Sequence, residues 1–215
     1  METIVAVCRI IHIASGFVAF FVAPIALFAH KGGENHRRWG LVYFWAMTSA
    51  TVFSFAVSLY RPNIFLFLVG VFSFYLSFSG YRSLFLKGKN GKAKWLDWSI
   101  SLITFIGSLS MIILGLSDLN KTFSPMYIVF GSIGLFVSAT DIKKYVKPSK
   151  EKFGWFFDHM GGMIGSYIAA VSAFSAVNFH FLPTALRWLW PTLIGVPAII
   201  IWTRYYKRKF KKVSQ

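Results

Sequence analysis

The chain has 215 residues, of which 56% are hydrophobic and 19% aromatic, and it carries a formal net charge of +16. Polar residues are too few to cover so much apolar surface, which excludes a water-soluble globule and indicates a chain solvated by lipid. The positive charge is confined to short stretches between apolar runs rather than spread along one folded face. We therefore expect no nucleic-acid partner.

A helix that crosses about 30 Å of hydrocarbon needs about 20 mainly apolar residues. Seven such segments predict an all-α, polytopic transmembrane helix bundle that forms a single domain, residues 1–215. In chain order, the predicted helices lie near residues 4–29, 39–60, 64–86, 96–116, 124–142, 156–179 and 188–204, and a basic tail follows at 205–215. Pro191 and Pro197 interrupt the last segment, but we expect Pro191 in its first turn, where a missing N–H costs little.

All but four of the 23 Lys and Arg residues fall in four clusters between or after these segments. The clusters are Lys31, Arg37 and Arg38; Arg82, Lys87, Lys89, Lys92 and Lys94; Lys143, Lys144, Lys147, Lys150 and Lys152; and Arg204, Lys207, Arg208, Lys209, Lys211 and Lys212. Cations in short loops stay on the cytoplasmic side of a membrane. An odd number of crossings places all four clusters there, so seven helices predict an outside N-terminus, a cytoplasmic C-terminus and contact with anionic lipid.

The first helix carries the most unusual residue, His12. At about 1.5 Å per residue, His12 lies roughly 13 Å from a helix start near Thr3, close to the bilayer centre. Arg9, His12 and Ser15 share one face, which we expect to look into the bundle. Three roles stay open for His12: a neutral ring bonded to a neighbouring hydroxyl or carbonyl, a haem or metal ligand, or a proton-relay member.

The turn between the first two helices is the densest motif. The pair Gly32-Gly33 allows a tight reversal, and Arg37 and Arg38 follow at the start of the second helix. Together with Arg82 at the end of the third helix, these arginines predict a site for an anionic headgroup or a phosphate. The alternative is a turn whose cations only orient the protein.

The sixth segment repeats small residues at helical spacing, which predicts close packing on neighbouring helices. They are Gly161, Gly162, Gly165, Ser166, Ala169, Ala170, Ala173 and Ala176. The same closeness would bring His159, at the head of this helix, against another helix.

Ionisable residues at membrane depth need partners, so they are the best candidates for a site. His159 adjoins Asp158, His36 lies at a similar predicted depth, and His30 is one helix end away. These four residues predict a site for zinc, iron or a haem iron, with Asp158 as ligand or as orienter of a ring. His12 would serve at a second site.

Three further charged residues, Arg82, Asp97 and Asp141, fall at the same predicted helix ends. We expect each of them to form a salt bridge, because a buried charge without a partner is costly.

Several functions are compatible with these residues. The first is a haem- or metal-binding redox protein with its His and Asp residues on the cytoplasmic side. The second is a small-molecule or lipid-binding carrier, or an accessory subunit, that uses the three arginines. A metal-dependent hydrolase ranks last, because the usual ligand spacings are missing. Enzymatic activity and a homo-oligomer or partner subunit stay open.

The first three predicted helices and their connections carry a set of motifs: His12, Gly16, Pro24, Lys31 to Gly33, His36 to Gly40, Tyr43, Met47 and Ser79 to Arg82. In these residues the chain resembles a family of bacterial predicted membrane proteins of unknown function. It implies a location in the bacterial cytoplasmic membrane and makes His12, His36 and Arg82 family-motif positions. It implies no activity, substrate or cofactor.

Overall fold

A computed structural model describes residues 2–87, 91–148 and 151–213, and the side chains of 212 and 213 are not described. Lys89 and Lys150 of the basic clusters therefore lie outside the described residues, as does the side chain of Lys212. Within these ranges the chain forms seven α-helices and a short 3-10 turn, with no strand. The helices are α1 Glu2–Phe28, α2 Glu34–Tyr60, α3 Ile64–Arg82, α4 Trp95–Ser117, α5 Ser124–Val146, α6 Gly154–Asn178 and α7 Thr184–Val213, and the 3-10 turn Ser83–Phe85 follows α3.

Every one of these helices is long and apolar enough to cross a membrane. Large apolar side chains point outward along them, as at Ile4, Phe21 and Ile106, each more than 60% exposed. Water would penalise so much exposed apolar surface, whereas lipid does not. The predicted all-α bundle of seven helices is thus confirmed, and it fits a multi-pass membrane protein.

The last helix is longer than the predicted span at both ends. Much of the basic stretch that follows the predicted span is helical, because α7 continues to Val213. The same helix begins at Thr184, so Pro191 lies in its interior rather than in its first turn. Lys and Arg favour helices and are stabilised by the partial negative charge of a helix C-terminus, and the Phe210 ring anchors this stretch with its centroid 4.5 Å from that of Phe153.

The core is divided between two groups of helices. One cluster joins α3, α4, α5 and α7 around Phe72, Met111 and Phe130, and the other joins α1 and α2 around Ala19 and Tyr43. Trp188 lies in the first cluster and is only 9% exposed. Its ring packs against that of Phe65 at a centroid distance of 5.2 Å, which joins the start of α7 to the start of α3.

Two glycines bring α3 and α6 into backbone contact. A Cβ atom placed on Gly162 would lie 2.6 Å from the Cα atom of Gly80, and one placed on Gly80 would lie 2.8 Å from the backbone nitrogen of Met163. Neither distance leaves room for a side chain. The prediction that the small residues of the sixth segment allow close packing is confirmed.

The four basic clusters gather at one end of the bundle, which we call the basic end. There the first turn of α2 meets that of α6, the end of α3 meets the start of α4, and the end of α5 meets the start of α6. The α1–α2 turn joins them, since the Lys31 ammonium lies 5.9 Å from the ring centre of Trp202 on α7. Partial burial in this turn lowers the pKa of Lys31.

Candidate functional site

The centre of the basic end is a pair of imidazoles on different helices. The ring centroids of His36 on α2 and His159 on α6 lie 6.2 Å apart, and the ring planes are inclined by 81°. Both side chains are partly buried. Of the predicted metal set, these are the two residues that the fold brings together.

A sharp turn places His36. Gly32 has φ +78°, a conformation that glycine adopts without strain, and the chain reverses so that the first turn of α2 lies beside the last turn of α1. The Nδ1 atom of His36 is 2.8 Å from the carbonyl oxygen of Ala26. Ala26 belongs to the last turn of α1, whose carbonyls have no partner within their own helix. His36 therefore caps the end of α1.

The contact between Gly80 and Gly162 positions His159. Because α3 and α6 are in backbone contact at Gly80 and Gly162, His159 can reach the main chain of α3. Its Nδ1 atom lies 2.9 Å from the carbonyl oxygen of Gly80, in the last turn of that helix. The prediction that close packing brings His159 against another helix is confirmed.

These two bonds decide the protonation of the rings. A carbonyl oxygen can only accept a hydrogen bond, so the Nδ1 atom of each ring must carry the proton. In the neutral imidazole, the Nε2 atom then keeps its lone pair. Metal-ligating histidines are held in this arrangement, with the second ring nitrogen bonded to a carbonyl or carboxylate. In both rings, Nε2 is therefore the nitrogen that the carbonyl bond leaves available to ligate a metal.

The other two members of the predicted metal set lie elsewhere. His30 is exposed in the α1–α2 turn. Asp158 is bonded to the Lys144 ammonium at 2.6 Å and not to His159, because successive residues of a helix point in different directions. Among the described residues, no three His, Cys, Asp or Glu side chains are placed to share a metal ion.

A buried polar network lies beside the pair. Asp141 accepts hydrogen bonds at 2.7 Å from the Tyr75 hydroxyl and at 2.5 Å from the Ser79 hydroxyl. The Lys144 ammonium lies 3.4 Å from a carboxylate oxygen of Asp141 and 2.6 Å from one of Asp158, so it links the two acidic side chains. The predicted salt bridge of Asp141 is therefore confirmed. Lys144 and Tyr75 were not among the predicted site residues, although the three-residue spacing of Asp141 and Lys144 on one helix indicates that they can pair.

The arginines predicted to hold an anion do not form one group. Arg82 binds Asp97 through two hydrogen bonds, Nε to Oδ1 at 2.6 Å and Nη2 to Oδ2 at 2.7 Å. Asp97 is fully buried, so this pair compensates its charge, and the predicted salt bridge is confirmed. Arg37 and Arg38 are exposed in the first turns of α2. Of the three predicted arginines, these two therefore have exposed guanidinium groups.

His12 belongs to a different part of the bundle. Its Nδ1 atom lies 2.7 Å from the carbonyl oxygen of Ala50 on α2, and Ser15 bonds Ser49 at 2.9 Å one turn further along. His12 and Ser15 look into the bundle, as expected, whereas Arg9 of the same predicted face is exposed. Ala26, the partner of His36, is 14 residues beyond His12 on α1, which is about 21 Å along the helix. His12 thus lies far from the imidazole pair.

Comparisons of the chain with protein-family models, with curated proteins and with solved structures find no match.

Proposed function

We propose that this protein is a membrane-embedded metal-binding protein in which the Nε2 atoms of His36 and His159 ligate a haem iron or a transition-metal ion. The observation that carries the proposal is that both rings have Nδ1 fixed on a main-chain carbonyl and lie 6.2 Å apart. A metal–nitrogen bond is about 2.0–2.1 Å long. A metal at this distance from two Nε2 atoms would need ring centroids roughly 6 Å apart, and the observed separation of 6.2 Å is of that size.

The donor set favours haem iron over a bare ion. A protein-bound zinc ion takes three or four protein ligands, and the described residues offer no third His, Cys, Asp or Glu beside the pair. Haem iron needs only axial ligands from the protein, and imidazole is a common one. When bound, a haem supplies one-electron redox chemistry. The residues of this chain would bind the iron and orient both rings through Ala26 and Gly80.

A second candidate rests on the exposed guanidinium groups of Arg37 and Arg38. They follow His36 directly at the start of α2, where two cations and the free N–H groups of a helix N-terminus favour an anion. An anionic headgroup, or the carboxylates of a haem bound by His36, would have suitable chemistry. Arg82 contributes less to this site than the sequence predicted, because Asp97 occupies its donors.

The wild-type protein, purified in mild detergent, is expected to carry the metal centre. An absorption spectrum and an elemental analysis of one preparation test this and separate the two forms of the site. A Soret band with one iron per chain identifies haem, whereas a stoichiometric metal without that band identifies a bare ion. A protein that shows neither, and takes up neither added haem nor added metal, contradicts the proposal.

We further propose that the basic end faces the cytoplasm and that the protein resides in the bacterial cytoplasmic membrane. The gathering of the basic clusters at one end of the bundle supports this orientation, and the resemblance to bacterial membrane proteins supports the location. The resemblance itself stays a prediction.

Cysteine labelling tests the orientation, because the chain has a single cysteine, Cys8. In a Cys8→Ser background, Asn120→Cys probes the exposed α4–α5 loop and Arg208→Cys probes the exposed end of α7. A membrane-impermeant maleimide added to intact bacteria is expected to label position 120 alone, and to label both positions after lysis. Labelling of position 208 in intact cells would reverse the proposed orientation.

A further inference from the structure

The end of α7 and the start of α6 enclose a groove at the edge of the basic end. Its volume is about 300 Å³. We call it the α6–α7 groove, and its lining residues are Glu151, Lys152, Phe153, Phe157, Lys207, Phe210 and Lys211. Neither histidine of the pair lines this groove, so the proposed metal site does not account for it.

Aromatic rings form the floor of this groove. The ring of Phe210 packs on Phe153, which directly precedes α6, and on Phe156 and Phe157 of α6, with centroid distances of 4.5 Å, 5.2 Å and 6.0 Å. Tyr206, one turn back on α7, lies 5.9 Å from the same ring. These contacts hold the last turns of α7 against the start of α6 and give the groove an aromatic floor.

Cations form the rim. Lys152, Lys207 and Lys211 are exposed, and two of their ammonium groups lie over rings of the floor, at 5.6 Å from the Phe153 ring and 5.3 Å from the Phe157 ring. The one acidic residue of the lining, Glu151, lies 3.9 Å from the Lys207 ammonium. Three lysines against one glutamate leave the groove positively charged.

We propose that the α6–α7 groove binds one anionic phospholipid, with its phosphate at the lysines and an acyl chain along the phenylalanine floor. An inorganic phosphate would leave the aromatic floor unused, and a zwitterionic lipid would offset the lysines with its own cation. Basic grooves at the ends of membrane helices suit anionic headgroups, to which each nearby Lys contributes roughly a fivefold gain in affinity. This site is independent of the imidazole pair.

Native mass spectrometry of the delipidated full chain in detergent tests the site, with dioleoylphosphatidylglycerol as the probe. The wild type is expected to bind one lipid saturably, and to bind it more tightly than dioleoylphosphatidylcholine. The triple variant Lys152→Gln, Lys207→Gln, Lys211→Gln should weaken binding roughly 100-fold, from the loss of three such lysines.

The matched control is Arg204→Gln, Arg208→Gln, Lys209→Gln. It removes the same charge from exposed residues of α7 that do not line the groove, and it is expected to keep nearly the wild-type affinity. Equal losses of lipid affinity in the two triple variants would overturn the proposal, because the effect would then come from overall charge and not from the groove. Equal binding of the two lipids by the wild type would also overturn it, and this comparison needs no variant. Displacement of the bound lipid by millimolar inorganic phosphate would overturn it as well.

Discussion

Replacing His159 by Ala is expected to abolish the metal-dependent absorption of the purified protein, and His36→Ala is expected to do the same. In the proposed site each ring is one of two nitrogen ligands, and no three His, Cys, Asp or Glu side chains of the described residues are placed to share a metal ion. Because the rings belong to different helices, neither variant alters the other ligand directly. The measurement is the absorption spectrum per chain together with the metal content.

Both histidines also cap a helix, so a loss of metal must be separated from a loss of folding. His36→Asn serves this purpose, because its amide N–H can donate to the Ala26 carbonyl while the side chain lacks a lone-pair nitrogen. It should elute as a monodisperse protein yet lack the absorption. Added imidazole should restore part of the absorption in His159→Ala, since it can supply the missing nitrogen.

His30→Ala is the matched control for these variants. His30 lies in the same turn as the start of α2 but is exposed and outside the pair, so its removal should leave the spectrum and metal content unchanged. If the well-folded variants of His36 and His159 keep the wild-type spectrum as well, these residues do not ligate the metal.

The second large effect is expected at the crossing of α3 and α6. In Gly162→Ala the new methyl group would lie 2.6 Å from the Cα atom of Gly80 and 2.8 Å from the carbonyl oxygen of Leu76. Both are main-chain atoms, so no change of rotamer can relieve the clash and the two helices must separate. Overpacking of this kind costs about 1–3 kcal/mol or more. The melting temperature in detergent should fall by several degrees.

Gly161→Ala gives an internal control for this variant, because it makes the same chemical change one residue away. A Cβ atom on Gly161 has no heavy atom within 4 Å outside its own helix backbone and chain neighbours. Alanine is favoured over glycine in a helix by roughly 1 kcal/mol, so this variant should be at least as stable as the wild type. Equal melting temperatures for the two variants would show that α3 and α6 do not approach as closely as described.

The crossing and the imidazole pair are physically coupled. His159 reaches the Gly80 carbonyl only because Gly80 and Gly162 allow main-chain contact. Separating the helices in Gly162→Ala should therefore weaken metal binding as well as stability, although neither glycine touches the metal.

Hydropathy explains how much of the fold could be read from the sequence. Whether a segment enters lipid depends on the transfer free energies of its own residues, so the crossings could be located without knowing what each helix packs against. The end of α7 was missed for the same reason. Its charges exclude it from lipid, whereas its helical form is supported by the helix preference of Lys and Arg and by contacts of the Phe210 ring with Phe153 and Phe156.

The arrangement of the candidate site could not be predicted from hydropathy. The predicted membrane depth is similar for His36, Asp158 and His159, but depth does not determine where a side chain lies around the bundle. The side chain of Asp158 points towards α5 and binds Lys144, whereas that of its neighbour His159 points towards α3. Arg82 likewise finds Asp97 across the α3–α4 connection.

By itself, the sequence determined the seven apolar helices, the gathering of cations in alternate loops and the small-residue face of α6, because each is a local property of a segment. The tertiary structure alone decided which helices are neighbours, that Gly80 meets Gly162, and that two imidazoles have Nδ1 fixed on helix-end carbonyls. Those outcomes depend on how the shapes of separate segments fit together, a relation that no single segment contains.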